Sequence, residues 1–598
     1  MVDPRIYRVS WVIVLIAIII FGFSLQTAPP AASTDLAPGV SFSAAAPQAV
    51  SLAARFGAVA PGSVRDGDFA AAMAAGLRAA GGFSVSSRTD SLRTAVGERA
   101  IATVEAERPG LGQGTIVVVA DRDLLSGPPA PHDAGAVAGT AASAVLLQLA
   151  RVFSGASLNR SLLLVSTSGA VGAAGNAQLA ASLAGQNVDA VIVLGDLARA
   201  TTRRPVVVPW STRAALAPSA LAGTLSRYLG VQAGLSATLP SFSAQLSHLA
   251  FPFTAGGQGP FAAAGLPAVT VSLSGDRLPQ PGERVDPARI AGLGLALDQS
   301  ISALEAGPTL APPGRDLSLA SKLVPLWAVR LLVLALIAPV AATLIDAIAR
   351  ARRRGHSILS WSVWVLSGTL PWILGLLVLR AAGVLALVPT LPAPVDGSVA
   401  VSLGAAGTGV VALGITAVAL RLLRPVGVQI ASGIGWRRTP TSPAIEGASV
   451  ALSLVLCALT LLVWSVNPFA AALFVPALHL WLWVGSPGVA GRWGRSVLLI
   501  LAGLLAPLLL AIHVMLSLGL SPWGFAASLV RALSGSAVTL GLALSWCVAL
   551  GVLSGIVVLL ARAVRASAVT VEAPVTVRGP ATYAGPGSLG GTQSALRR

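Results

Sequence analysis

Two hydrophobic patterns divide the chain. From residue 324 onward, apolar stretches recur at close to the ~20 residues that span a bilayer. They predict membrane helices at 324–349, 358–379, 399–420, 447–465, 468–485, 496–517 and 534–561. One more apolar run, residues 11–25, follows Arg5 and Arg8. A short apolar run behind basic residues reads as a signal peptide or signal anchor. The Ala/Pro-rich stretch after it leaves cleavage open, and retention as an anchor is the preferred reading. Between these regions the apolar runs are short and broken by Gly, Pro and polar clusters. Residues 26–64 are rich in Ala, Ser and Pro and read as a linker. The pattern then predicts helices at 68–80, 141–153, 172–184 and 286–304, and strands at 115–120, 161–167, 190–194 and 268–273. Strands alternating with helices predict an α/β domain over 65–310, a mixed, mainly parallel sheet with helices on both faces. Functional residues of such sheets lie at the carboxyl ends of the strands.

Composition agrees with a chain that is largely not in water: 55% of residues are hydrophobic and 11% charged, against about 25% charged in soluble domains. The net charge of +17 would suit a nucleic-acid binder, but its distribution excludes one. Residues 26–320 hold nineteen Arg against eighteen acids. The remaining cations cluster beside alternate spans: Arg350, Arg352, Arg353 and Arg354; Arg421, Arg424, Arg437 and Arg438; Arg492 and Arg495; Arg562 and Arg565. The intervening loops carry Arg380 and Arg531. By the positive-inside rule, residues 1–10 and the tail 566–598 are cytoplasmic and 26–320 lie outside. The expectation is a multi-pass plasma-membrane protein of one plus seven spans, the bundle covering 324–561. The tail is rich in Gly, Pro, Ser and Thr and reads as disordered. Cys457 and Cys547 both lie in apolar runs, so the exported segment has no disulfide framework. Lys322 is the single lysine, an Arg-for-Lys bias that suggests a bacterial coding sequence.

Ionisable residues within predicted spans are functional candidates. Arg330 and Asp346 sit near opposite ends of one span, and Glu446 opens another. His479 and His513 lie deeper, but their predicted depths differ by roughly 10 Å of a ~30 Å core. That offset argues against a shared haem and for single histidines bonded to a neighbouring helix.

The order and wording of the exported segment resemble the zinc aminopeptidases of peptidase family M28 (clan MH). The strand GTIVVVA leads to Asp121-Arg122-Asp123, where the family has His-x-Asp. A later helix ends Leu146-Leu147-Gln148-Leu149-Ala150-Arg151, like the family's LLELAR. The strand at 161–167 leads to Ser168-Gly169-Ala170, where the family has its Glu-Glu pair. Asp196 stands where a fourth strand leads to a ligand Asp. The family's SDHxPFxxAGIPAV resembles Gly256-Gly257-Gln258-Gly259-Pro260-Phe261 and the following Gly265-Leu266-Pro267-Ala268-Val269. The resemblance implies a zinc-aminopeptidase-like fold. It also implies that the chemistry is lost. Asp121 occupies the first His position, the bridging Asp falls on Gly135 or Ala134 with Asp133 a shifted substitute, and Gln258 replaces the last His. Gly169 and Ala170 replace the base and one ligand. Asp121, Asp123, Asp133, Asp196 and Gln258 are therefore vestigial metal positions, and no cofactor is expected although the family implies zinc. The layout is also similar to the membrane subunit of the GPI transamidase.

Two other chemistries are open to the segment. Ser166 or Ser168 with His132 and Asp133 would make a hydrolase triad, but no spacing supports it. Asp121, Asp123, Asp133 and Asp196 would make a Ca²⁺ or Mg²⁺ site, against solvated loop acids paired with Arg122 or Arg199. The second histidine of the segment is His248. The expected function is a pseudo-peptidase: a non-catalytic membrane protein whose extracytoplasmic domain binds or scaffolds a peptide, a lipid-linked substrate or a partner enzyme. Asp121, Asp123, Ser168, Asp196, Gln258 and Phe261 are its candidate cleft residues. Its partners would be the lipid bilayer and a membrane or extracytoplasmic protein, with no nucleic acid. The alternatives are an active metallo-aminopeptidase with altered ligands, and a transporting or lipid-handling bundle with a receptor ectodomain.

Overall fold

The structure is a computed structural model, and it describes residues 3–33, 41–123, 134–236, 238–280, 282–319, 322–397, 401–433, 445–484, 493–535 and 537–570. The chain starts with α1 (Pro4–Phe23) and β1 (Gln26–Thr27), followed by α2 (Ala45–Phe56) and α3 (Val64–Ala80). A long hairpin, β2 (Ser84–Thr94) and β3 (Gly97–Arg108), leads into β4 (Thr115–Asp121), α4 (Ala134–Phe153), β5 (Ser161–Thr167), α5 (Ala174–Leu183) and β6 (Val188–Leu194). Then come β7 (Val207–Val208), α6 (Ser219–Ala233), α7 (Phe242–Ala250), α8 (Gln258–Ala263), β8 (Ala268–Val271) and α9 (Ala288–Ala306).

The sheet order is β2-β3-β5-β4-β6-β8-β7. The four central strands β5, β4, β6 and β8 are parallel, and the antiparallel β2–β3 hairpin and β7 flank them. These central strands read as continuous apolar runs because both faces are covered. Ile116, Val118, Ala120, Ile192 and Leu194 face a core built with α2, α3, α4, α6 and α9. Val117, Val119, Val191 and Val193 face a second core with Leu179 and Leu183 of α5 and Phe261 of α8. The mixed α/β domain expected from the sequence is therefore present, with strand 161–167 at its expected bounds.

One expectation needs correction, and two elements were not foreseen. Residues 26–64 are not merely a linker: α2 packs Ala45, Ala49 and Phe56 into the main core, and Gln148 on α4 donates to Gln48 at 2.8 Å. Ala at i and i+4 makes a narrow apolar face that lets two helices approach closely, whereas composition alone reads as low complexity. The β2–β3 hairpin was also not anticipated. β3 pairs with β5 only from Val104 opposite Ser166 to Arg108 opposite Leu162, so residues 88–103 overhang the carboxyl end of β5. Finally, α18 below has no counterpart among the predicted spans.

The second half begins with a small sheet of β1, β9 (Leu317–Leu319) and β10 (Lys322–Val324), in which Gln26 pairs with Leu323. The helices that follow are α10 (Leu326–Arg353), α11 (Ile358–Ser367), α12 (Leu370–Val384), α13 (Leu403–Gly433), α14 (Ile445–Val466) and α15 (Pro468–Val484). The last are α16 (Trp493–Gly503), α17 (Leu505–Leu518), α18 (Pro522–Ser534) and α19 (Leu540–Thr570). Among the described residues, seven helical segments are long and apolar enough to cross a membrane, or eight if α16 and α17, bent by 47°, form one span. One of the seven is most of α4, which is buried inside the α/β domain. Each predicted bundle segment falls on one of these helices or on the shorter apolar α15. The tight turn at Asn467 is made by its side chain: Oδ1 accepts from the N–H groups of Phe469 and Ala470 at 3.0 and 3.2 Å, an N-cap ahead of Pro468. Most of the predicted disordered tail lies outside the described residues.

The α/β domain rests on one end of the bundle. Asn467 Nδ2 donates to Leu249 O at 2.8 Å, Leu278 N to Asp396 Oδ2 at 2.8 Å, and Ala393 N to Gly172 O at 3.0 Å. Gly172 has φ +79°, and a Cβ there would lie 2.7 Å from Leu391, so glycine lets the 385–397 loop touch the domain. At the opposite end Asp3 lies 3.8 Å from Arg350, which sets α1 antiparallel to α10.

His479 behaves as a single histidine between helices. Leu336 O can only accept, so Nε2 donates to it at 2.8 Å, and Nδ1 accepts from Tyr7 Oη at 2.7 Å. His513 instead meets His248 of the α/β domain, with ring centres 5.7 Å apart.

Candidate functional site

The carboxyl end of β4 places Asp121, Arg122 and Asp123 at the centre of the sheet, beside the ends of β5 and β6. Side chains alternate along the strand, and the three residues go separate ways. Arg122 turns towards the overhanging hairpin and α3. Its Nε donates to Asp66 Oδ1 at 2.9 Å, Nη1 to Ser166 O at 2.9 Å, and Nη2 to Ala102 O at 2.6 Å. Asp66 sits in the first turn of α3, where Ser63 caps the helix by accepting from Asp66 N. Both partners of this ion pair are buried. A buried arginine survives only when its donors are satisfied, and this one has acceptors on three separate elements.

Asp123 turns towards the turn after β5. Its carboxylate accepts from the N–H groups of Gly169 at 2.9 Å and Ala170 at 3.1 Å. Those are the positions where the family resemblance puts a Glu-Glu pair. Burial, and next the charge of Asp66, push the Asp123 carboxyl up to about 6 against the pull of those two N–H groups and Arg122. Asp121 accepts from Asn176 Nδ2, in the first turn of α5, at 3.0 Å. Burial first, then Asp123, push its carboxyl up to about 7, with Asn176 and Arg122 opposing. Gly257 closes over this pair: a Cβ there would lie 2.5 Å from Asn176 Nδ2 and 3.3 Å from Asp121 Oδ2.

Asp196 follows β6 in a separate network. Ser274 Oγ donates to its Oδ2 at 2.6 Å, and Ala198 N and Arg199 N donate to Oδ1 at 3.0 and 3.1 Å. Burial raises its carboxyl above the usual range, with these donors opposing. Gln258 opens α8 in a third network: Nε2 donates to Trp210 O at 3.1 Å and Thr254 Oγ1 at 2.9 Å, and Oε1 accepts from Thr270 Oγ1. Asp276 belongs to that same network and was missed from the sequence. It accepts from Trp210 Nε1 at 2.8 Å, from Thr254 Oγ1, and from Gly256 N at 3.2 Å. Burial pushes it up to about 7 against those bonds. Its sequence signal is Ser274-Gly275-Asp276 at the end of β8, a strand end like that of Asp121.

The expected cleft is a packed polar layer. Asp121, Asp123, Ser168, Asp196, Gln258 and Phe261 are all 3% exposed or less. Phe261 is a core side chain against Val117, Val191 and Leu179. Ser168 Oγ is buried without a hydrogen-bond partner among the described residues. The solvated-acid alternative also fails. The carboxylates are buried, Arg122 pairs with Asp66, and the Arg199 guanidinium pairs with Glu283. His132 and Asp133 lie outside the described residues.

These residues do not fit the two zinc ions that the family resemblance implies. Zinc takes converging His, Cys or carboxylate ligands. Here the carboxylates face donors of the chain itself, and Gln258 and Gly169-Ala170 offer no anionic ligand. Among the described residues, no three His, Cys, Asp or Glu side chains are grouped to hold a metal ion.

No protein-family model matches the chain, and no curated protein does. Among solved structures, it is similar to glutaminyl cyclase of an Acidobacteriales bacterium, at 16% identity over 46% of this chain and 99% of that one, with TM-score 0.37. It is also similar to BSAP, a zinc aminopeptidase from Bacillus subtilis, at 10% identity over 44% and 95% with TM-score 0.35. A third is a putative zinc-dependent exopeptidase from Bacteroides vulgatus, at 14% identity over 46% and 100% with TM-score 0.33.

Proposed function

We propose that the chain is a multi-pass membrane protein whose α/β domain is a non-catalytic binding or scaffold module outside the cytoplasm. The observation that carries the reading is the consumption of the strand-end carboxylates. Asp121 is held by Asn176, Asp123 by Gly169 and Ala170, and Asp196 by Ser274, Ala198 and Arg199. A hydrolase needs a base and ligands that face a substrate, and these groups face the protein's own donors.

The placement of charge supports the membrane part. The domain leans on the bundle ends that carry Gly172–Ala393, Leu278–Asp396 and Leu249–Asn467 contacts. Arg350, Arg352 and Arg353 close α10 at the other end. With arginine-rich ends in the cytoplasm, the domain is outside, α1 is retained as an anchor, and α10, α11–α12, α13, α14, α15, α16–α17 and α19 make seven further spans. The domain then runs from about residue 41 to 310, and its ligand is a peptide, a lipid-linked molecule or a partner enzyme held near the membrane.

Aminopeptidase turnover by the purified full chain, measured with and without added zinc, tests the non-catalytic reading. Turnover that needs zinc and is lost in Asp123→Ala sinks it. Labelling of single cysteines at Ser41 and at Arg353 with an impermeant thiol reagent tests the orientation. Intact cells should label the first and spare the second.

A further inference from the structure

His248 closes α7, and its surroundings fix both its orientation and its tautomer. Nδ1 lies 2.8 Å from Phe253 O. A carbonyl only accepts, so Nδ1 carries the proton and the neutral ring presents a bare lone pair at Nε2. The ring stacks on Trp210 at 3.6 Å and 10°, and on Phe253 at 4.1 Å and 27°. Two rings that close and that nearly parallel cannot share one face, so they sandwich the imidazole and leave only its edge open. His513 of α17 approaches there, 5.7 Å away between ring centres and at 83°. Nε2 of His248 and Nε2 of His513 are both buried, and neither has a hydrogen-bond partner among the described residues. His248 itself is 1% exposed.

We propose that His248 and His513 are the two protein ligands of a copper(I) ion held at the seam between the α/β domain and the bundle. A ligating imidazole commonly donates its other nitrogen to a backbone carbonyl, which fixes the tautomer and aims the lone pair. His248 does this with Phe253. Two imidazoles that share one ion through bonds of about 2.0 Å have ring centres roughly 6 Å apart, close to the spacing observed. His479 shows the contrast, since its two nitrogens are engaged by Leu336 O and Tyr7 Oη.

The surroundings select the ion. Zinc would need two more ligands to reach four, and Phe253, which stacks on His248, belongs to an apolar cluster with Ala255, Leu510, Val514 and Leu518 against which Met515 packs. Imidazole suits copper, and a single positive charge is far cheaper to bury than a double one. The site belongs to neither half of the protein alone, so occupancy would tie the domain to the bent α16–α17 segment.

The test uses the full chain in detergent, titrated with copper(I) under reductant against a chromophoric chelator, with silver(I) as a redox-inert check. His248→Phe keeps the stacking and His513→Leu keeps the helix, while His356→Ala serves as a control. The proposal expects one ion per chain and at least a tenfold loss of affinity in each of the first two variants, with the control unchanged. X-ray absorption should report nitrogen ligands in the wild type. If His248→Phe fails to fold, His513→Leu alone decides, because its ring lies outside the α/β core. Absence of stoichiometric binding, retention of the ion when both histidines are replaced, or a bound water only at these nitrogens overturns the proposal.

Discussion

Asn176 donates its Nδ2 to Asp121 at 3.0 Å, while its own Oδ1 is buried with no donor among the described residues. A protonated Asp121 would complete the pair, its hydroxyl donating to that oxygen. The carboxyl is pushed up to about 7, which keeps the proton on through mildly acid conditions. Asp276, also near 7, and Asp123, near 6, add to the effect. The folded state thus binds protons more tightly than the unfolded chain, whose aspartates titrate near 3.9. Their stabilisation is complete below about pH 4 and falls as pH rises towards 7, by an amount on the order of a few kcal/mol. Unfolding of the domain in the full chain, followed by hydrogen exchange, should show greater protection at pH 5 than at pH 8. Asp121→Asn should gain protection at pH 8 and change little at pH 4. Equal protection across that range would contradict the assignment.

Arg122 and Asp66 hold the hairpin overhang to α3 and β4. Arg122→Met strands a buried carboxylate together with the carbonyls of Ser166 and Ala102. Breaking one side of a buried pair costs about 3–5 kcal/mol, a large share of a domain's stability. The double replacement Arg122→Met with Asp66→Leu should recover part of that loss. Denaturant midpoints of the three variants measure it.

How much of this could be read from the chain follows from how local each signal is. The strand at 161–167 was legible because four successive apolar residues, Leu162 to Val165, lie between polar ends, and both of its faces are covered. The β2–β3 hairpin was not, because SVSSRTDSLRT is largely exposed and the alternation in GERAIATVEAER is confined to Val104-Glu105-Ala106-Glu107. α18 escaped because it is short and amphipathic. Asp121 and Asp123 were found at the end of a strand, as the α/β pattern requires, and Gln258 through the motif that runs on to Pro260-Phe261. Their closure was not legible, because Asn176, Gly169 and Trp210 are distant in sequence and meet them only after the sheet forms.

Gly172 tests the seam. Gly172→Ala places a Cβ against Leu391 and forces a left-handed φ of +79° on a residue that disfavours it. The expected cost is about 1–3 kcal/mol, with faster hydrogen exchange in residues 389–396 than in the sheet. Adding Leu391→Ala removes the contacts with Cγ and Cδ1 but keeps Cβ, 2.9 Å away, so it should recover only part of the loss.

Phe261 separates core from cleft. As a fully buried ring among Val117, Val191 and Leu179, its replacement by Ala should lower stability by about 3–5 kcal/mol. If it lined an open cleft instead, the variant would unfold at the wild-type denaturant concentration.

Anomalous scattering at the zinc edge, from crystals of the full chain grown with zinc, addresses the central claim most directly. No peak is predicted at the ends of β4, β5 and β6. A pair of peaks beside Asp121, Asp123 and Asp196, with their carboxylates turned away from Asn176, Gly169 and Ser274, would contradict it.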